Sequence, residues 1–193
     1  MPAVAASLIG TARLELRPLR VAHAVEMTAV LADPALYTFT GDVPPSTAQL
    51  RARYRRWLAG APDPGVSWCN WVIWLRTEQR LAGTVQATIT GPGGALAAEI
   101  AWVVGTAWQG RGIGREAAQG LVGWLRQLPV RTVAAYIHPA HHASAAVARA
   151  AGLGPTRQRR DGEARWQLET GEEGTRQPAS SCLVGERRTA HGE

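Results

Sequence analysis

The residues with the clearest capacity for chemistry are Gln109-Gly110-Arg111-Gly112-Ile113-Gly114, which open a long apolar-periodic helix just after a strand-like run that ends at Val104. Glycines let a backbone come close to a ligand. The first N–H groups of a helix have no intrahelical partner, and the helix dipole favours an anion there. This is an arrangement for holding phosphate. Arg115, in the first turn, would be out of place beside the positive helix end unless it met an anion. The alternative is a tight strand-to-helix connection whose glycines serve geometry alone. Two familiar phosphate motifs fail on spacing: no Lys-Ser/Thr follows the glycines as in a P-loop, and the full GxGxxG is absent. The acidic residue and repeated parallel units of a dinucleotide fold are missing too.

Around this motif the chain alternates strands and helices. Leu14-Glu15-Leu16-Arg17-Pro18 reads as a first strand, and Val21, Ala24, Val25, Thr28 and Leu31 lie at helical spacing before Asp33-Pro34. Ser46-Thr47-Ala48-Gln49 has capping-box form and predicts a second helix to about residue 59. Its arginines 51, 53, 55 and 56 form a solvated face, with Tyr54, Trp57 and Leu58 turned inward. Residues 71–75 and 81–89 read as a hairpin, and 97–104 as a third antiparallel strand. A helix over 112–128 follows, closed by Pro129, then a strand over 130–137, a short helix over 144–151 ended by Gly152, and a last hairpin over 153–158 and 164–168.

The 193 residues fit one domain, and a composition that is 46% hydrophobic and 19% charged is globular. No run of 18 apolar residues is present to span a bilayer. Residues 1–10 lack the basic region of a secretory signal, so a cytoplasmic location is expected. Cys69 and Cys182 lie far apart and outside any CxxC pattern, which suggests neither a disulfide framework nor a zinc site, and Cys69 reads as a core residue. All 21 basic residues are arginine, with a net charge of +6. A basic surface favours anions, including nucleic acid or cofactor phosphates, but the arginines are scattered and no recognition motif accompanies them.

The chain resembles the GNAT superfamily of acyl-CoA-dependent N-acyltransferases, whose signature Gln/Arg-x-x-Gly-x-Gly/Ala is matched by Gln109, Gly112 and Gly114. The likeness covers residues 12–169. Leu16-Arg17-Pro18, the 72–83 hairpin and Ala150-Ala151-Gly152-Leu153 are most similar to the branch of ribosomal-protein N-terminal acetyltransferases. The resemblance implies an α/β (α+β) fold: a mixed, mostly antiparallel, strongly twisted sheet of about seven strands flanked by about four helices. Residues 1–11 would be a flexible arm and 170–193 a disordered tail.

It further implies that the strand before the motif splays from its neighbour and leaves backbone near Val103 and Val104 for the pantetheine arm. The amides of Arg111, Gly112, Gly114 and Arg115 would cradle the pyrophosphate, with Gln109 completing the motif. The branch carries Pro-Asp-Asn-x-x-Ser after the next strand, whereas this chain has Pro139-Ala140-His141-His142-Ala143-Ser144. His141 thus stands where the asparagine usually does, and a neutral imidazole can donate a hydrogen bond as an amide can. Ser144 is either the proton donor to the leaving thiolate or the N-cap of its helix. The tyrosine that many members use as general acid is replaced by Ala148. Glu99, the sole carboxylate in the strand before the motif, is the candidate base, directly or through water; the alternative is a carboxylate paired with one of the many arginines. His138 could also act near neutral pH, or serve only a His-Pro turn. Trp102 and Trp108 read as core aromatics, and the second could cover the cofactor.

The implied activity is direct transfer of an acetyl group from acetyl-CoA, without a metal, to a primary amine on a protein N-terminus, small amine or antibiotic. A non-catalytic acyl-CoA-sensing or protein-binding relative is the alternative, and an arginine-rich nucleic-acid binder the weakest. The expected partners are the small-molecule or peptide amine and a possible second copy as a homodimer, with no membrane and no nucleic acid.

Overall fold

The structure, a computed structural model, describes residues 4–91 and 95–170. In chain order the elements are β1 (Ile9–Gly10), β2 (Leu14–Pro18), α1 (Ala24–Val30), α2 (Thr47–Leu58), β3 (Val66–Leu75), β4 (Arg80–Thr90), β5 (Leu96–Val104), α3 (Ile113–Leu125), β6 (Val130–Ile137), α4 (His142–Ala150), β7 (Gly154–Arg160) and β8 (Glu163–Glu169). One sheet runs β1-β2-β3-β4-β5-β6-β8-β7. Only the β5–β6 pair is parallel; every other neighbour is antiparallel.

Local sequence explains most of these elements. Ser46 caps α2 by accepting from the Gln49 N–H, and the Gln49 side chain accepts from the Ser46 N–H in return. Along α3, Ile113, Ala117, Leu121 and Leu125 recur at i, i+4 and are buried against the sheet. The larger core lies on that face, where α3 and α4 cover Trp71, Ile73, Val85, Ile100 and Val133. A smaller core on the other face gathers Met27, Leu50, Tyr54, Val72 and Leu81 beneath α1 and α2. Burial pushes the Tyr54 hydroxyl up to about 12 and the Cys69 thiol up to about 11.

Three expectations need correction. Residues 4–10, expected outside the fold, pack against it: Ile9 pairs with Leu16, making an eighth strand. The reason is the demand of two indoles for acceptors, since Trp71 Nε1 donates to the Ser7 carbonyl at 2.7 Å and Trp124 Nε1 to the Ser7 hydroxyl at 2.9 Å. Leu58, expected inward, is 52% exposed because α2 buries only the side bearing Leu50 and Tyr54. The last helix starts at His142 rather than Ser144. The expected tail beyond residue 170, with Cys182, lies outside the described residues.

Candidate active site

The site begins with a fork. β5 pairs with β4 along its length, from Thr90↔Ala97 to Gly83↔Val104. It pairs with β6 only as far as Glu99↔Ala134. Beyond that point β6 continues along β8, and residues 100–104 border a gap. The Leu96 N–H donates to Pro129 O at the start of β6, so by strand alternation the backbone of Trp102 and Val104 faces the gap. Val103 is turned the other way: its carbonyl lies against Gly83 of β4, where an added Cβ would sit 2.1 Å from it. The Val103 side chain is exposed. The Val104 carbonyl already accepts from Gln109 Nε2 at 2.9 Å, so the open positions are the Trp102 backbone and the Val104 N–H. Trp102 itself packs half-buried against the core, as expected.

The fork leads into the glycine-rich turn. Gly110 and Gly112 have φ of +72° and +77°, a region that glycine enters without steric cost. Gly112 is the N-cap of α3 and provides no side-chain cap, so the first N–H groups of the helix remain available. Side chains from distant elements brace the turn. Glu78, between β3 and β4, accepts from Trp108 Nε1 at 3.0 Å and from the Arg111 guanidinium. Those hydrogen bonds, Arg111 first, hold its carboxyl below the usual carboxylate range. Arg13 donates to the Arg111 carbonyl at 3.1 Å and pairs with Glu116 at 2.6 Å. Burial works to raise the Glu116 carboxyl, but bonds from Thr11 and Arg13 outweigh it and lower the net value. Arg115 is exposed and makes no ion pair among the described residues. Sequence reasoning missed Arg13 and Glu78, and neither carries a local signal.

Across the gap lies the turn from β6 into α4. His141, not Ser144, is the N-cap, because the Pro139-Ala140 turn starts the helix early, with His141 N–H on His138 O at 2.8 Å. The cap reading of Ser144 is therefore corrected: it sits in the first turn, and its hydroxyl makes no hydrogen bond among the described residues. The side chain of Phe39, from the loop after the short helix Pro34–Tyr37, stacks on His141 at 4.4 Å between centroids and meets His138 at 5.1 Å. Burial, then the charges of His138 and His142, lowers the pKa of His141, which favours the neutral ring. His138 Nδ1 accepts from the Ala140 N–H at 3.2 Å, as a His-Pro turn would have it.

Glu99 stands at the last β5–β6 pair, on the face opposite α3 and α4. Both its oxygens accept from the Arg160 guanidinium, at 2.6 and 2.9 Å. Arg160 lies 3.6 Å above the centroid of the Tyr136 ring. The pairing alternative for Glu99 is what the structure displays. Arg160 reaches it because Asp161 and Gly162, both at positive φ, make a two-residue turn of the type favoured in tight hairpins between β7 and β8. The side chains are 43% and 50% exposed, and ion pairs in that setting contribute about 0.2–1 kcal/mol. A cavity of about 530 Å³ lies elsewhere, between α2, the N-terminal segment and the start of β3.

The fit to coenzyme A rests on this geometry: an unpaired strand edge, then left-handed glycines, then free helix N–H groups. Comparison with known proteins shows the same fold. A structure of an acetyltransferase from Agrobacterium tumefaciens is 26% identical with a TM-score of 0.64, covering 84% of this chain and 94% of that one. The ribosomal-protein α-N-acetyltransferase RimL, in complex with coenzyme A, is 18% identical with a TM-score of 0.65 over 84% and 98%. An aminoglycoside acetyltransferase, also with coenzyme A, is 18% identical with a TM-score of 0.65 over 81% and 94%. No curated protein sequence matches. The family model for the acetyltransferase (GNAT) domain matches residues 13–154, and the chain belongs to the GNAT acetyltransferase family.

Proposed function

We propose that the protein moves an acetyl group from acetyl-CoA to a primary amine by direct attack of the amine on the thioester. The observation that carries this reading is the fork running into the glycine-rich turn. It offers strand-like donors and acceptors for an amide-bearing arm, and then bare N–H groups for a pyrophosphate. Acetyl-CoA supplies the activated thioester. In this reading the Trp102 backbone and the Val104 N–H bond the pantetheine arm, the Val103 side chain flanks it, and Gln109 fixes the strand end. The amides of Arg111, Gly112, Gly114 and Arg115 hold the pyrophosphate, with Arg13 and Arg115 adding charge. His141 donates a hydrogen bond where an asparagine would. Glu99 takes a proton from the ammonium, directly or through water, and the Ser144 hydroxyl returns one to the departing sulfur.

The neighbours named above act on a ribosomal-protein N-terminus and on an aminoglycoside, which supports a primary amine as acceptor. The first test is thermal unfolding with acetyl-CoA: a ligand that binds only the folded state stabilises it, by about 2.7 kcal/mol at a hundred times its Kd. No shift at millimolar ligand would overturn the reading. A non-catalytic acyl-CoA-sensing relative is the second reading, favoured by the occupation of both Glu99 oxygens. A thermal shift without release of coenzyme A from any amine would select it.

A further inference from the structure

We infer that the acceptor is an amino acid with a free carboxylate, whose ammonium and carboxylate replace the Glu99–Arg160 ion pair with two intermolecular ones. This rests on the acetyltransferase reading, since it names the amine for that site.

The guanidinium takes one lone pair on each oxygen of Glu99, so an ammonium that bonds Glu99 from the same side competes with Arg160 for it. A monoamine that took Glu99 would leave Arg160 without its partner. It would also add a third positive charge, because Arg165 stands beside Tyr136 as its cross-strand partner and makes no ion pair among the described residues. The Arg165 Nε is buried without a hydrogen-bond partner, and its remaining contact is to Gln158. Asp161 at the hairpin tip adds only a lesser attraction to Arg160. Glu163, the cross-strand partner of Arg160, makes no ion pair with it among the described residues, so a zwitterion replaces both halves of the Glu99–Arg160 pair where a bare cation replaces only one.

An amino acid meets both demands at once. Its carboxylate takes the planar donors of Arg160, for which bidentate pairing is the favoured geometry. Its ammonium then takes the released Glu99. The Tyr136 face, 3.6 Å beneath the guanidinium, lets Arg160 change partner without leaving its place. In the step that follows, one ammonium proton passes to Glu99, the nitrogen–carbon bond forms and the carbon–sulfur bond breaks. A second proton from the nitrogen ends on the departing sulfur, giving an N-acetyl amino acid and free thiol, and Glu99 returns its proton to solvent.

The experiment pairs each of the standard amino acids that carry a primary amine with its α-amide, alongside spermidine and a short carboxyl-amidated peptide. It follows coenzyme A release by the full chain, after thermal unfolding has established acetyl-CoA binding. At least one amino acid should exceed its amide in kcat/KM by about tenfold or more, since loss of a group the site is built to bond is strongly discriminated. Arg160→Met should bring that ratio to near parity through KM, and Arg157→Met on the same hairpin should keep it. Should Arg160→Met not fold, Arg160→Lys retains the charge and should retain part of the preference. Equal or better use of amides or spermidine, no turnover of any amino acid despite acetyl-CoA binding, or an unchanged ratio in Arg160→Met would each overturn the inference. Absence of acetyl-CoA binding would instead remove the acetyltransferase reading on which it stands.

Discussion

Where the proposed cofactor half of the site is built from nearly consecutive backbone between Trp102 and Arg115, the proposed acceptor half is assembled from the side chains of Glu99, Tyr136 and Arg160, brought together from separate elements. The first half is held by rules that act over a few residues: strand alternation, left-handed glycine, unpaired helix N–H groups. The second depends on the register of β6, β8 and β7, which sets Arg160 over Tyr136 and within reach of Glu99. Backbone sites fix what any member of a fold can hold, whereas convergent side chains decide what this chain does with it.

The sharpest way to break that comparison is Gly112→Val. At φ +77° a β-branched residue costs roughly 1–2 kcal/mol in backbone strain, and its side chain would occupy the path of the phosphates. The thermal shift given by acetyl-CoA should vanish while the variant remains folded by circular dichroism; a normal shift would show that the turn is not the cradle. Glu99→Gln should leave that shift intact and lower turnover by roughly 10²–10⁴, because it removes the proposed base together with the charge that Arg160 and an ammonium would pair with. Wild-type rates from pH 6 to 9 would move the proton chemistry to His138 or to water. Ser144→Ala should lower the rate with no change in melting temperature, since its hydroxyl caps nothing; a loss of on the order of 1 kcal/mol in denaturant titration would restore the cap role.

The smallest effect concerns Phe39. His141 has a folded-state pKa below its ordinary 6.5, from burial and then from His138 and His142. The unfolded chain therefore binds more protons as pH falls below 6.5, so stability present above that value is lost on acidification. Phe39→Ala uncovers the ring and should flatten the fall in melting temperature between about pH 7.5 and 5.5. His23, also lowered, first by burial, is untouched by this change and drops out of the difference between the two proteins. An identical slope would show that Phe39 does not bury His141.

Legibility in the sequence followed the same division. The α2 cap, the α3 stripe and the 109–114 turn are local patterns and stand where the residues put them. Val103 was expected at the gap with Val104, but which backbone groups face the gap is a matter of parity relative to β4 and β6, and parity is set only when the strands are placed. Arg160 went unread although Asp161-Gly162 just before the alternating run Ala164-Arg165-Trp166-Gln167-Leu168 is itself a hairpin signal. What that signal lacks is the reach of the side chain across β8 to β5. β1, at two residues, is too short to show a period, and the needs of Trp71 and Trp124, with the burial of Ile9, show why it is held.

The fork has one further consequence, for self-association. An unpaired strand edge is ordinarily a template on which another chain can add, and proteins blunt such edges with charge or cover. Here the edge at residues 100–104 lies inside the sheet, between a β5 still paired to β4 and a β6 that has moved on to β8. A whole strand inserted there would need about 4.8 Å to each of two neighbours. A single arm with an amide every few atoms needs hydrogen bonds to one edge only. In the acetyltransferase reading, an open edge placed inside the sheet offers hydrogen-bonding backbone to a thin ligand without lying at the sheet's rim, where another chain would add.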